Sequence, residues 1–76
     1  MPQLTRIVLD PAVMGGRPCI RGTRVTVSTI VGLVAAGHDA AAIVKLYPYL
    51  SPDDVREALL WAAWRAQEKE VDLVVR

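Results

Sequence analysis

Between Gly15 and Val27 the chain reads GGRPCIRGTRVTV, with three arginines and three glycines around a short apolar core. An arginine offers a planar, permanently charged fork of donors that matches phosphate or carboxylate. Glycines allow backbone angles that other residues avoid, so this charge is displayed from turns and not from a helix. Two readings follow for Arg17, Arg21 and Arg24, with Thr23 set among them. In one they contact an anion, a phosphate or a carboxylate. In the other they decorate a structural hairpin tip, where Arg21 and Arg24 pair with Asp10 or with acids of a later helix.

Residues for catalysis are scarce. An active site needs a nucleophile with its base, a carboxylate pair, or a metal cluster in a concavity. His38 is the single histidine and follows Gly37 at a helix stop, where it reads as a turn residue. Asp53 and Asp54 are adjacent and suit the first turn of a helix, where carboxylates complement the dipole. Cys19 is the single cysteine, so the chain holds no disulfide pair and no cysteine cluster for a metal. Its place in the strand-like stretch Pro18-Cys19-Ile20 makes it a small buried hydrophobe. No glycine-rich loop leads into a Lys-Ser/Thr phosphate site. The expectation is a binder and not an enzyme, with no cofactor and no metal.

The elements that hold these residues can be read from periodicity and punctuation. Residues 5–10, TRIVLD, alternate polar and β-branched types up to Asp10-Pro11 and predict a strand closed by a turn. Pro18-Cys19-Ile20 and residues 23–27, TRVTV, predict two further short strands around a tight turn at Gly22. Helical spacing then takes over. Thr26 caps a first helix with Ile30, Leu33 and Val34 on one face and Gly37 as its stop. Asp39 caps a second, which Pro48 ends. Ser51 starts a third, with Pro52 in its first position, and it reaches about Lys69. On that helix Val55, Ala58, Leu59, Ala62 and Ala66 share one arc, with Trp61 at its margin. Leu60 and Trp64 lie on the opposite side, where they are either buried under the arm or the tail or form a contact surface for a partner or a second copy. The apolar tail, with Val71, Leu73, Val74 and Val75, covers the same patch within the chain, within a dimer, or on a partner.

Composition narrows the class. A chain of 76 residues forms one domain with a small core, yet 53% of it is hydrophobic. That surplus predicts a homodimer or a protein partner. Net charge is only +1, but its distribution is uneven. Up to Val25 four arginines face one aspartate, whereas from Thr26 onward five basic residues face seven acidic ones. The pattern is an anion-seeking arm on a mildly acidic helical body. Neither a leader nor a membrane-length apolar run is present, so the expectation is a cytoplasmic protein with no membrane partner.

Two stretches, residues 10–27 (DPAVMGGRPCIRGTRVTV) and 35–63 (AAGHDAAAIVKLYPYLSPDDVREALLWAA), carry a family resemblance. They resemble domain of unknown function 433, whose members carry a pattern close to Gly-Lys-Pro-x-Ile-x-Gly-Thr-Arg. A glycine helix stop, a Tyr-Pro step and a Leu-Thr/Ser-x-x-Asp/Glu-Val helix start follow in that family. The resemblance covers roughly residues 7–68; Arg17 stands where lysine is common, and Trp61 where tyrosine is expected. The resemblance implies a VapB-like antitoxin, encoded beside a PIN-like ribonuclease toxin that it covers, with a helix-turn-helix-like helical part and repression of its own operon.

Sequence and resemblance together predict an α+β, mostly α fold: a β-arm over residues 1–25, a three-helix helix-turn-helix-like bundle over 26–69, and an apolar tail over 70–76. Recognition helices aim their N-terminal residues at base edges. Here those residues are Asp53 and Asp54, so any DNA should meet the arginine arm and not the start of the third helix. The alternatives are a stand-alone DNA-binding regulator without a toxin, and a structural dimerisation module.

Overall fold

The computed structural model describes residues 4–68. Val71, Leu73, Val74 and Val75 of the expected tail lie outside the described residues. The chain is mostly α-helical, with a two-stranded antiparallel arm at its N-terminal end. Strand β1 (Ile7–Val8) pairs with β2 (Cys19–Ile20), placing Ile7 opposite Ile20 and Val8 opposite Cys19. Between the strands Asp10 caps a turn: its carboxylate accepts from the Ala12 N–H at 2.9 Å and its carbonyl from the Val13 N–H at 2.8 Å. A single 3₁₀ turn, Met14–Gly16, then carries the chain back, with Gly15 and Gly16 both at positive φ.

The third expected strand does not form. Residues 23–27 contribute one bridge, Cys19 to Thr26, closed by hydrogen bonds from the Ile20 N–H to the Val25 carbonyl at 3.0 Å and from the Val27 N–H to the Pro18 carbonyl at 2.9 Å. Helix formation wins because Thr26 is an N-cap: its hydroxyl accepts from the Thr29 N–H at 3.1 Å, and the chain turns helical at Val27.

The three helices are α1 (Val27–Ala35), α2 (Ala40–Leu46) and α3 (Pro52–Glu68). Each begins and ends for a visible reason. Helix α1 closes in a Schellman motif: Gly37 adopts φ 101°, its N–H reaches the Val34 carbonyl, and the His38 N–H reaches the Leu33 carbonyl at 3.0 Å. His38 thus serves the turn through its backbone. Asp39 caps α2 by accepting from the Ala42 N–H at 2.9 Å. Ser51 and Asp54 form a reciprocal capping box on α3. The Asp54 N–H donates to Ser51 Oγ at 3.3 Å, and the Ser51 N–H donates to Asp54 Oδ2 at 2.8 Å.

Ile20, Ile30 and Ile43, one from the arm and one from each of α1 and α2, are almost wholly enclosed. Val55 and Ala58 of α3 close this core, with Ile7, Val25, Val27 and Leu50 around it. Cys19 is buried as a small hydrophobe. Leu33, Val34, Leu59 and Trp61 pack against the core from its margins. Ala66, expected on the same arc, is exposed. The reason is length: α3 has 17 residues against 9 and 7 in its neighbours, about 25 Å against roughly 13 and 10 Å, so its last turns outrun the bundle.

Candidate functional site

One arginine is spent on the fold. Arg6, between Thr5 and β1, reaches the start of α3: Nη1 donates to Asp54 Oδ1 at 3.0 Å and to Ser51 Oγ at 3.3 Å. Its guanidinium also lies 3.7 Å from Asp53 and 3.6 Å from Glu57, and its backbone N–H donates to Glu57 Oε1 at 2.9 Å. The hydrogen bond to Asp54 is the main reason the Arg6 pKa rises above its ordinary value; partial desolvation opposes it, and the charges of Asp54, Asp53 and Glu57 add to it. The alternative pairing of Arg21 or Arg24 with these acids is therefore not what the chain adopts. The available signal was the spacing of Asp53, Asp54 and Glu57 on one face of a helix start, which calls for a cation from the strand packed beside it.

The arm tip uses its charge differently. After β2 the chain turns at Gly22, with φ 78°. Thr23 locks this turn: its hydroxyl donates to the Ile20 carbonyl at 2.9 Å and accepts from the Val25 N–H at 3.0 Å. Thr23, expected to contact an anion, spends its hydroxyl on this turn and so positions the tip. Arg21 is tethered through Nε to the Thr5 carbonyl at 3.0 Å, leaving its terminal nitrogens available. The Arg17 and Arg24 guanidiniums make no hydrogen bond or ion pair among the described residues. Asp10 is occupied with its own turn.

Arg21 and Arg24 line one open groove of about 740 Å³ together with Val8, Asp10, Val13, Gly22, Thr23 and Tyr49. Arg17 lies elsewhere. It borders a smaller, more apolar groove of about 420 Å³ formed by Pro18, Val27, Val31, Trp61, Ala62 and Arg65. The three arginines that are close in sequence are thus divided between two surfaces. Leu60 and Trp64 are half-buried and not turned fully to solvent. The Trp64 ring packs against Trp61 with centroids 5.4 Å apart, and the Arg65 guanidinium lies 6.0 Å from the Trp64 ring.

Tyr49 is the groove residue that sequence reasoning missed. It sits in the α2–α3 connection with 65% of its surface exposed, held edge-to-face with Tyr47 at 6.1 Å. The paired tyrosines around Pro48 were the signal, read only as a helix stop. Elsewhere among the described residues, no group of three or more histidine, cysteine, aspartate or glutamate side chains is placed to hold a metal ion. No described helix is long and apolar enough to cross a membrane.

Comparison with known proteins places these features in a family. The uncharacterized protein y4eO of Sinorhizobium fredii (strain NBRC 101917 / NGR234) is 36% identical over 56 residues, a stretch covering 74% of this chain. That match takes in only 25% of the relative's length. No solved structure matches the chain. The model of the family described as "Protein of unknown function (DUF433)" matches residues 7–62, from β1 through the Trp61 turn of α3 and including both grooves' arginine arm. The chain belongs to the DUF433 family.

Proposed function

We propose that this chain is a non-catalytic binding module, the antitoxin of a type II toxin–antitoxin pair, which covers a PIN-like ribonuclease and contacts operator DNA. The observation that carries the reading is the division of cations. Arg6 satisfies the acids of α3, whereas Arg24 and the terminal nitrogens of Arg21 face an open groove without carboxylate partners of their own. A surface of that kind suits either backbone phosphates or the carboxylate cluster that surrounds the divalent ion of a PIN-type nuclease. An arginine brought to that cluster competes with the metal for its carboxylates. The half-buried Leu60 and Trp64 offer apolar area for the toxin or for a second copy in a homodimer, and the setting is the cytoplasm.

The deciding experiment is co-expression with the adjacent open reading frame, followed by size-exclusion chromatography and a growth assay. The expected result is a co-eluting complex and relief of growth arrest. Removing residues 71–76 should weaken the complex while leaving the thermal transition nearly unchanged. A chain that binds an operator fragment but no neighbouring gene product would be a stand-alone regulator. One that only self-associates would be a dimerisation module.

A further inference from the structure

We infer that the groove between the arm tip and the α2–α3 connection is a binding site for single-stranded nucleic acid, with a base stacked on Tyr49 and flanking phosphates held by Arg21 and Arg24. This rests on reading the groove as anion-contacting, and is independent of the toxin.

Three observations converge there. The first is aromatic. Tyr49 exposes 65% of its surface while meeting Tyr47 edge-to-face, with ring centroids 6.1 Å apart. A large apolar ring left open beside two cations gains most from a ligand that brings both a π-face and negative charge. The second is the donor set. Arg24 makes no hydrogen bond with any described residue, and the Gly22 and Arg24 N–H groups have no acceptor among them. The third is access. A Cβ at Gly22 would meet nothing within 4 Å, so a ligand backbone can approach the tip closely. The groove is open and its volume of about 740 Å³ falls in the range of ligand sites generally, roughly 300–1,000 Å³.

These features favour a single strand over a duplex. Two arginines would neutralise phosphates on either, but duplex bases are already stacked on each other and offer the ring nothing. A protein carboxylate would use the donors and leave the ring unpaired. Asp10 also lines the groove, and its charge opposes phosphate. Its role is to cap the turn through Oδ1, which asparagine reproduces without the charge.

The test is fluorescence anisotropy of a labelled oligothymidylate of about twelve nucleotides, within the usual footprint of such sites, against a duplex of the same length. The whole 76-residue chain is used, with melting curves for every variant. The single strand should bind more tightly than the duplex. Tyr49→Ala should weaken it about tenfold, while Tyr49→Phe keeps the affinity. Arg24→Ala should make the salt slope shallower by about 0.7, and Asp10→Asn should tighten binding. Equal or tighter duplex binding overturns the inference, as does single-strand binding that Tyr49→Ala leaves intact, or no oligonucleotide binding at all. If the oligonucleotide fails while Tyr49→Ala weakens the co-expressed complex, the groove belongs to the protein partner. In that case this inference falls and the antitoxin reading stands.

Discussion

Arg6 and Arg24 are the same residue type on the same short arm, yet they meet opposite fates. Arg6 lies against three carboxylates and a serine hydroxyl at the start of α3, whereas the Arg24 guanidinium makes no hydrogen bond or ion pair with any described residue. The difference is not one of propensity, since both flank strand-like sequence. It lies in what the fold places opposite each. Packing β1 against α3 brings Arg6 to a helix N-terminus rich in acids, while Arg24, beyond the Gly22 turn, forms no ion pair among the described residues. A charge with built-in partners does structural work. One without them is available to something outside the chain.

The largest expected effect tests the structural half of that contrast. Asp54 is buried, closes the capping box and accepts from Arg6. Asp54→Ala should cost about 2–3 kcal/mol through loss of the cap and of a charge-assisted hydrogen bond. Urea denaturation measures this, and a loss under about 0.5 kcal/mol, typical of an uninvolved surface site, would put Arg6 and Asp54 in the same class as the arm tip. Because Asp54 raises the Arg6 pKa, the arginine's share of stability is complete below its unfolded pKa and is lost only as pH rises through the raised folded value. That window is strongly alkaline, so Arg6 should add no pH dependence near neutrality.

Next comes the hinge of the contrast, Gly22. At φ 78° with open space around it, alanine there meets backbone strain but no clash. Gly22→Ala should lower stability by about 1 kcal/mol and also weaken anion binding, because the tip no longer presents Arg21 and Arg24 together. Unchanged binding in a folded Gly22→Ala protein would separate the two arginines functionally.

Arg21→Ala and Arg24→Ala sharpen the other half. Each should leave unfolding free energy within about 0.5 kcal/mol. In an operator-fragment titration at several salt concentrations, each should make the slope shallower by about 0.9. Arg24→Lys should retain much of the binding if phosphate is the target, since charge matters more there than fork geometry. An unchanged slope in both alanine variants would assign the tip to a protein partner.

The smallest effect is expected at Asp53. Its side chain is 66% exposed and 3.7 Å from Arg6, so Asp53→Ala should change stability by less than about 0.5 kcal/mol. DNA binding should be unchanged or slightly stronger. A large loss of DNA binding would restore the start of α3 as a docking surface.

Local chemistry in the sequence specified the helices, because caps and stops act over three or four residues. Thr26, Asp39 and Ser51 accept the backbone N–H groups their positions predict, and Gly37 supplies the left-handed stop. The same locality misled at residues 23–27, where β-branched alternation and a threonine cap compete for one segment and the cap prevails. Alternation is a preference that needs a partner strand, whereas the cap needs only the next turn of its own chain.

What only the tertiary structure decided is which charges are spent and which remain open. From sequence alone, Arg6, Arg17, Arg21 and Arg24 are four equivalent cations, and nothing in their spacing assigns the α3 acids to the first of them. The assignment depends on contacts separated by 45 to 51 positions along the chain, made when β1 packs on α3. Arg17 parts from Arg21 and Arg24 for a related reason: β2 and the Gly22 turn lie between them, so neighbours in sequence face two different grooves. Tyr49 joins Arg24 through the folded chain in the same way. Residue types and turns set what each side chain can do, but the balance of charge at a surface is a sum over elements distant in sequence, and packing alone determines which elements enter it.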